Sequence, residues 1–193
     1  MRVAIIDLGY GNIGSIAAAF ERLGATPVVT ADAAAIGSAD RVVLPGVGAA
    51  GRAMERIAAL GLRRAIVGLT QPLLGICLGM QLLFEHSEED GTACLGLIKG
   101  RVTKLAAAPG RPVPHMGWSR VETSDLSLGL SSGDYAYFAH SFAGEANEAS
   151  LATVEYGRSL PAVVRSGNFL GAQFHPERSG EAGARFLGAF LGR

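Results

Sequence analysis

Cys77 lies in the run Gly75-Ile76-Cys77-Leu78-Gly79-Met80-Gln81, after a short apolar stretch and before a helical pattern. That puts a thiol on a strand-to-helix turn, an arrangement that exposes a nucleophile above a sheet. Glycines on both sides permit the strained turn and leave room for a substrate beside the sulfur. A helix N-terminus also lowers a thiol's pKa and offers free N–H groups to a developing oxyanion. The plainer reading is a buried cysteine packed as a small hydrophobe.

A nucleophilic thiol needs a base, and the base needs an orienting group. Gln173-Phe174-His175-Pro176-Glu177 offers both. Residues two apart at a strand end face the same side, so Glu177 is expected to reach the His175 ring. His86, His115 and His140 are the competing histidines, but none has a carboxylate at this spacing after an apolar strand. A third segment, Leu44-Pro45-Gly46-Val47-Gly48, ends an apolar strand at the edge where open α/β sheets bind ligands. Its N–H groups could complete an oxyanion hole.

Other segments compete or fall away. Gly9-Tyr10-Gly11-Asn12-Ile13-Gly14 fits the dinucleotide fingerprint between strand and helix, with Asp32 about 20 residues on. No second mononucleotide-binding half accompanies it, and a nicotinamide-binding enzyme stays open as a rival. Cys94 has no nearby base and reads as structural, while Glu88-Glu89-Asp90 reads as a solvated loop. No His/Cys cluster has metal-ligand spacing, so no zinc site is expected.

The elements that must position these residues alternate in the first half. Strands are expected at residues 2–7, 28–30, 41–44 and 72–76. Helices are expected from the glycine-rich loop to Gly24, over about 52–68, and over 78–86. Apolar strands separated by helices imply a parallel sheet with right-handed crossovers. In the second half, residues 97–104, 118–123, 135–142, 151–156, 162–165 and 169–174 read as strands, with Arg165-Ser166-Gly167-Asn168 as a hairpin turn. A last helix from Ser179 carries Phe186, Leu187, Phe190 and Leu191 on one face. The expected class is α/β, an open, mostly parallel central sheet with flanking helices and an antiparallel extension. No repeat or linker divides it, and residues 1–193 are read as a single domain.

Composition bounds the partners. Formal charge is +0, from 17 basic and 17 acidic residues, which offers no broad field for nucleic acid. No apolar run is long enough to cross a bilayer, and Met1-Arg2 leads directly into Val3-Ala4-Ile5-Ile6, so neither membrane span nor signal peptide is expected. Two cysteines in a chain of this size fit a reduced, cytoplasmic setting. Glycine, at 27 residues, is about twice its usual share of roughly 7%. Many loops must therefore turn tightly or approach something closely.

Taken in order, these segments resemble the class I (triad) glutamine amidotransferases, nearest to the glutaminase subunits of imidazole glycerol phosphate synthases. The likeness runs through Gly11-Asn12, residues 44–48 and 75–82, Pro114-His115-Met116-Gly117-Trp118, residues 137–142 and 173–180. It implies that Cys77 is the nucleophile, His175 the acid and base, and Glu177 its orienter. It also implies an oxyanion hole from Gly46, Val47 and Leu78, with glutamine held by Gly48, Gln81, Ser141 and Phe142. The implied partner is a cyclase subunit of (β/α)₈-barrel fold in a heterodimer, faced by Asn12, Trp118 and Arg178. Two positions depart from the pattern: Ser119 stands where asparagine commonly follows Gly-Trp, and Phe142 where tyrosine commonly follows His-Ser. Subunits serving anthranilate, aminodeoxychorismate or pyridoxal phosphate synthesis remain alternatives, as does a non-catalytic partner-binding relative.

Overall fold

The computed structural model describes residues 1–192. Its strands are β1 (Arg2–Ile6), β2 (Thr26–Thr30), β3 (Arg41–Gly46), β4 (Leu73–Cys77), β5 (Phe84–Ser87), β6 (Thr92–Ala93), β7 (Ile98–Lys104), β8 (His115–Thr123), β9 (Tyr135–His140), β10 (Phe142–Gly144), β11 (Ser150–Glu155), β12 (Ser159–Ser166) and β13 (Phe169–Ala172). The helices are α1 (Ile13–Arg22), α2 (Ala33–Gly37), α3 (Ala50–Ala59), α4 (Arg63–Val67), α5 (Leu78–Gln81) and α6 (Gly180–Phe190).

A nine-stranded sheet runs in the order β2-β1-β3-β4-β13-β12-β11-β8-β9. Pairing is parallel from β2 to β13 and antiparallel from there to β9. The mostly parallel centre and its antiparallel extension are as the sequence implies. The hairpin joining β12 to β13 pairs Ser166 with Phe169, and Gly167 takes the positive φ of its turn. A separate four-stranded sheet, β10-β7-β5-β6, lies beside the large one.

Alternation along the strands splits the core into two layers. Val3, Ile5, Val43, Leu74 and Ile76 face α1 and α6, packing with Phe20, Phe174, Phe186 and Phe190. Ala4, Ile6, Val42, Leu44 and Leu73 face the other way, toward Ile57, Ile66, Leu82 and Phe84. Phe174 links its layer by edge-on ring contacts to Phe138 at 5.9 Å and Phe186 at 5.2 Å. Among the described residues, no helix is long and apolar enough to cross a membrane.

Three expectations are corrected. The helix expected over 78–86 stops at Gln81, and β5 takes over from Phe84. Bonds from Leu97 and Ile98 N–H to the Leu83 carbonyl, and from Cys94 N–H to Glu85, draw that backbone into the small sheet. The helix expected over 52–68 is two helices. Gly61, at φ +67°, ends α3, with Gly61 N–H bonded to Ala58 and Leu62 N–H to Ile57, a Schellman closure. The strand expected over 135–142 breaks at Ser141, so that β9 stays in the large sheet while β10 pairs with β7. Leu105 N–H holds the Ser141 carbonyl at 2.9 Å across that break.

Candidate active site

Strand β4 ends on Cys77, and α5 begins at the next residue. Cys77 adopts φ 54° and ψ −110°. For a non-glycine residue this conformation costs on the order of 1–3 kcal/mol and persists only where the surroundings enforce it. The enforcement is visible in backbone packing. A side chain on Gly79 would collide with the Leu44 carbonyl, one on Gly75 would lie 2.6 Å from the Gly79 carbonyl, and one on Gly46 would lie 2.6 Å from the Gly79 nitrogen. Three glycines thus let α5 sit directly on β3 and β4 and hold the turn in place. The thiol is 7% exposed, with Ala139 O at 3.8 Å and Gln173 Nε2 at 3.9 Å.

His175 and Glu177 follow β13, the strand paired directly with β4, and so emerge at the same sheet edge as Cys77. The expected strand over 169–174 ends at Ala172, so the two do not meet by strand alternation. His175 instead caps a 3₁₀ turn, Pro176–Arg178, with proline in its first position. That turn brings Glu177 Oε1 to 2.9 Å from His175 Nδ1. The His175 backbone is pinned on both sides: its N–H donates to Tyr137 O at 2.8 Å, and the Ser179 hydroxyl donates to its carbonyl at 2.7 Å. Burial works against the imidazolium. Hydrogen bonds to Cys77 and Glu177, and the charges of both, outweigh that penalty and raise the His175 pKa to about 10. The ring therefore holds both protons at neutral pH, with Nδ1 directed at Glu177.

These groups open onto a cleft of about 410 Å³. Cys77, Leu78, His175 and Glu177 form one part of its wall; Val47, Gly48, Gln81, Ser141 and Phe142 line it as well, with Asn12 and Arg178 at the same opening. Two expected residues are absent from the wall. Gly46 is buried at the end of β3, opposite Cys77 in the strand register. Trp118 stands outside, 54% exposed, with its ring edge-on to Tyr137 at 6.0 Å, and the Arg178 guanidinium lies 4.5 Å over the same Tyr137 ring.

The family model described as glutamine amidotransferase class-I matches residues 4–191. The chain belongs to that family. Among its relatives, the imidazole glycerol phosphate synthase subunit HisH of Xylella fastidiosa (strain Temecula1) is 50% identical, over 98% of this chain and 96% of its own length. The subunit HisH 2 of Legionella pneumophila (strain Paris) is 48% identical, over the same shares of the two chains. Two solved structures share the fold. One, described as a glutamine amidotransferase, has a TM-score of 0.78 at 21% identity, covering 98% of this chain and 97% of its own. The other, PurLQS from Thermotoga maritima, has a TM-score of 0.71 at 20% identity, covering 99% and 97%.

Within this amidotransferase the remaining segments have other duties. Gly9 and Gly11, both at positive φ, bend the loop that brings Asn12 to the cleft. Asp32 caps α2, its carboxylate accepting the Ala34 N–H at 2.7 Å. Cys94 is buried, and that burial pushes its thiol up to about 11, which keeps it protonated and inert. The acidic run is not simply solvated. Glu89 Oε2 accepts the Ala50 N–H at 2.8 Å, satisfying the first turn of α3, whose own cap position is an alanine, and Glu89 also lines the cleft. Sequence reasoning gave no role to Glu89, Ala139 or His140, which line the cleft, or to Gln173, which is buried behind Cys77. For Gln173 the signal was present, since it opens the motif that carries His175.

Proposed function

We propose that this chain, acting as one glutaminase domain, is the glutaminase subunit of an imidazole glycerol phosphate synthase. It hydrolyses glutamine to glutamate and ammonia, and the ammonia passes to a (β/α)₈-barrel cyclase subunit in histidine biosynthesis. The observation that carries this reading is the meeting of Cys77, on its enforced turn, with the His175–Glu177 pair at one cleft. Near-half identity to subunits of that synthase supports the choice among amidotransferases.

In this mechanism the Cys77 sulfur attacks the side-chain amide carbon of glutamine, forming a tetrahedral intermediate. N–H groups of Leu78 at the start of α5 and of the Gly46-Val47 turn stabilise its oxyanion. His175 then gives its Nε2 proton to the departing nitrogen as the C–N bond breaks, leaving a glutamyl thioester and ammonia. Water attacks the thioester with His175 as base, which releases glutamate, frees the sulfur and returns the ring to its doubly protonated form. Glu177 holds the ring through Nδ1 and stabilises its charged form throughout. Gly48, Gln81, Ser141 and Phe142 hold the glutamine, and no metal or cofactor takes part.

The partner face lies at the mouth of the same cleft. Val47 and Met116 line that cleft, Trp118 lies two residues beyond Met116 on β8, and the three are 38%, 64% and 54% exposed. Asn12 and Arg178 complete that rim. The test is glutamine turnover with and without the cyclase subunit and its nucleotide ligand. Turnover, and glutamine-dependent cyclisation in the mixture, are expected; a chain inactive with this partner but active with another synthase would reassign it.

A further inference from the structure

His115 and His140 are 2% and 5% exposed, yet neither takes part in the chemistry proposed above. They face each other across β8 and β9, with His115 Nδ1 3.1 Å from His140 Nε2. The chain continues at both ends. His140 Nδ1 lies 2.8 Å from the Phe142 carbonyl, and His115 Nε2 lies 2.8 Å from Ser119 Oγ. The Phe138 and Tyr156 rings stack on His115 at 4.9 and 3.9 Å, which fixes the plane of its ring.

The carbonyl fixes the proton at one end of the chain, because it can only accept, and the Ser119 hydroxyl at the other end supplies the donor that the same order needs. His140 Nδ1 must therefore carry a proton. Burial pushes both histidines down to about 4, so each ring is neutral and has a single N–H. His140 Nε2 is then an acceptor, His115 Nδ1 its donor, His115 Nε2 an acceptor, and the Ser119 hydroxyl the outermost donor. All the protons point toward the cleft. The same Phe142 carbonyl takes a second bond, 2.7 Å from Gln81 Nε2, whose other proton goes to Gln173 Oε1 at 3.1 Å. Both acceptor sites of the carbonyl are filled, and the Gln81 amide is turned so that Oε1 is its remaining polar atom.

We propose that Ser119, His115 and His140 form a relay of fixed polarity that positions the Phe142 carbonyl and, through it, Gln81 in the glutamine cleft. The three are positioning residues, and the proposal rests on the reading of the cleft as a glutamine site. Ser119 is the informative end, because it is half-exposed on β8 and does not line the cleft. Nitrogen-15 NMR of the wild-type protein should find both histidines as Nδ1–H tautomers. In Ser119→Ala, His115 Nε2 is left without its donor, and the Nε2–H form should appear at the expense of the bond from His115 Nδ1 to His140 Nε2. The KM for glutamine, measured at saturating partner, should rise roughly threefold to tenfold, about what one hydrogen bond is worth. Turnover at saturating glutamine should change far less than the KM, because Ser119 bonds to His115 and not to Cys77 or His175. Ser119→Asn keeps an N–H donor and should restore both the tautomer and the KM. An Nε2–H tautomer at either histidine in the wild type, or a wild-type KM in Ser119→Ala, would overturn the proposal. A wild-type protein without glutamine turnover would strike the functional reading instead, while the tautomers still decide the relay.

Discussion

Replacing Glu177 by glutamine changes one charge and almost nothing else. The side chain is 2% exposed and its Oε1 sits 2.9 Å from His175 Nδ1. A glutamine carbonyl can still accept that proton, so the ring keeps its orientation but loses an ionised partner. Hydrogen bonds to charged groups are worth about 1.5–3 kcal/mol, and neutral ones about 0.5–1.5. The difference, on the order of 1–2 kcal/mol, corresponds to about one pKa unit and roughly a tenfold loss of rate. His175→Ala removes the proton carrier itself, and general acid–base catalysis contributes about 10²–10⁴-fold. Glu177→Gln should therefore be clearly the milder variant.

The pH dependence tests the same reasoning more sharply. In the wild type the imidazolium persists up to about pH 10, because its bonds to Cys77 and Glu177 outweigh desolvation. Without the carboxylate, desolvation meets less opposition, and the alkaline limb of glutamine turnover should move to lower pH by about one unit. The linked stability has a definite sign. A folded pKa raised above the ordinary 6.5 stabilises the protein below pH 6.5, and that contribution is lost as pH rises toward about 10. The stability gap between wild type and Glu177→Gln should accordingly hold up to about pH 9 and close as pH approaches about 10, as read by urea unfolding. Triad members act as a unit, so the double variant should be little worse than His175→Ala alone. An unmoved alkaline limb, or losses that add, would refute the coupling of the two residues.

Three further outcomes are expected. Cys77→Ala should abolish glutamine hydrolysis while leaving partner binding intact, and the complex should still cyclise when supplied with ammonia; surviving glutamine-dependent turnover would remove Cys77 from the mechanism. Gly79→Ala should destabilise by at least the roughly 1–3 kcal/mol of an overpacked core, because its new methyl meets the Leu44 carbonyl, whereas Gly188→Ala in α6, with nothing within 4 Å, should be neutral or stabilising by up to about 1 kcal/mol in urea titrations. Trp118→Ala should weaken stimulation of glutamine hydrolysis by the partner without changing the rate at which Cys77 is alkylated, since the ring stands outside the cleft against Tyr137. An oxyanion donor is worth about 2.7–4 kcal/mol, so a partner that aims the Gly46-Val47 peptide would switch activity a hundredfold or more; equal activity with and without partner would exclude that switch.

How much of this was legible in the sequence depended on whether the determining contact was local. The turn at Cys77 announces itself because its glycines, 75 and 79, flank the cysteine within four residues and do the packing themselves. The His175–Glu177 pair was legible from spacing alone, although the geometry that joins them is a 3₁₀ turn and not the strand alternation the spacing suggested. Residues 84–87 follow on from the apolar run Leu82-Leu83-Phe84 and so read as the end of a helix, and only their pairing with β6 and β7 makes them a strand. The cap that Glu89 gives α3 crosses 39 residues, and no helix-start signal at Ala49 points to it.

The same division runs through the cleft. Its reactive side is built from two short motifs whose residue types reveal their chemistry, because a thiol on a strained turn and a carboxylate beside an imidazole have few other uses. The wall proposed to bind glutamine is built from carbonyls and amides at Ser141, Phe142 and Gln81, whose identities say little and whose directions are set elsewhere. The break at Ser141 coincides with a change of sheet, and the strict alternation of buried residues along β9 ends there. Ser119, at one of the two departures from the family pattern, reaches the cleft only through two buried rings. A substitution there changes no residue that touches substrate, so its effect would be invisible to motif reading and would surface as a change in KM.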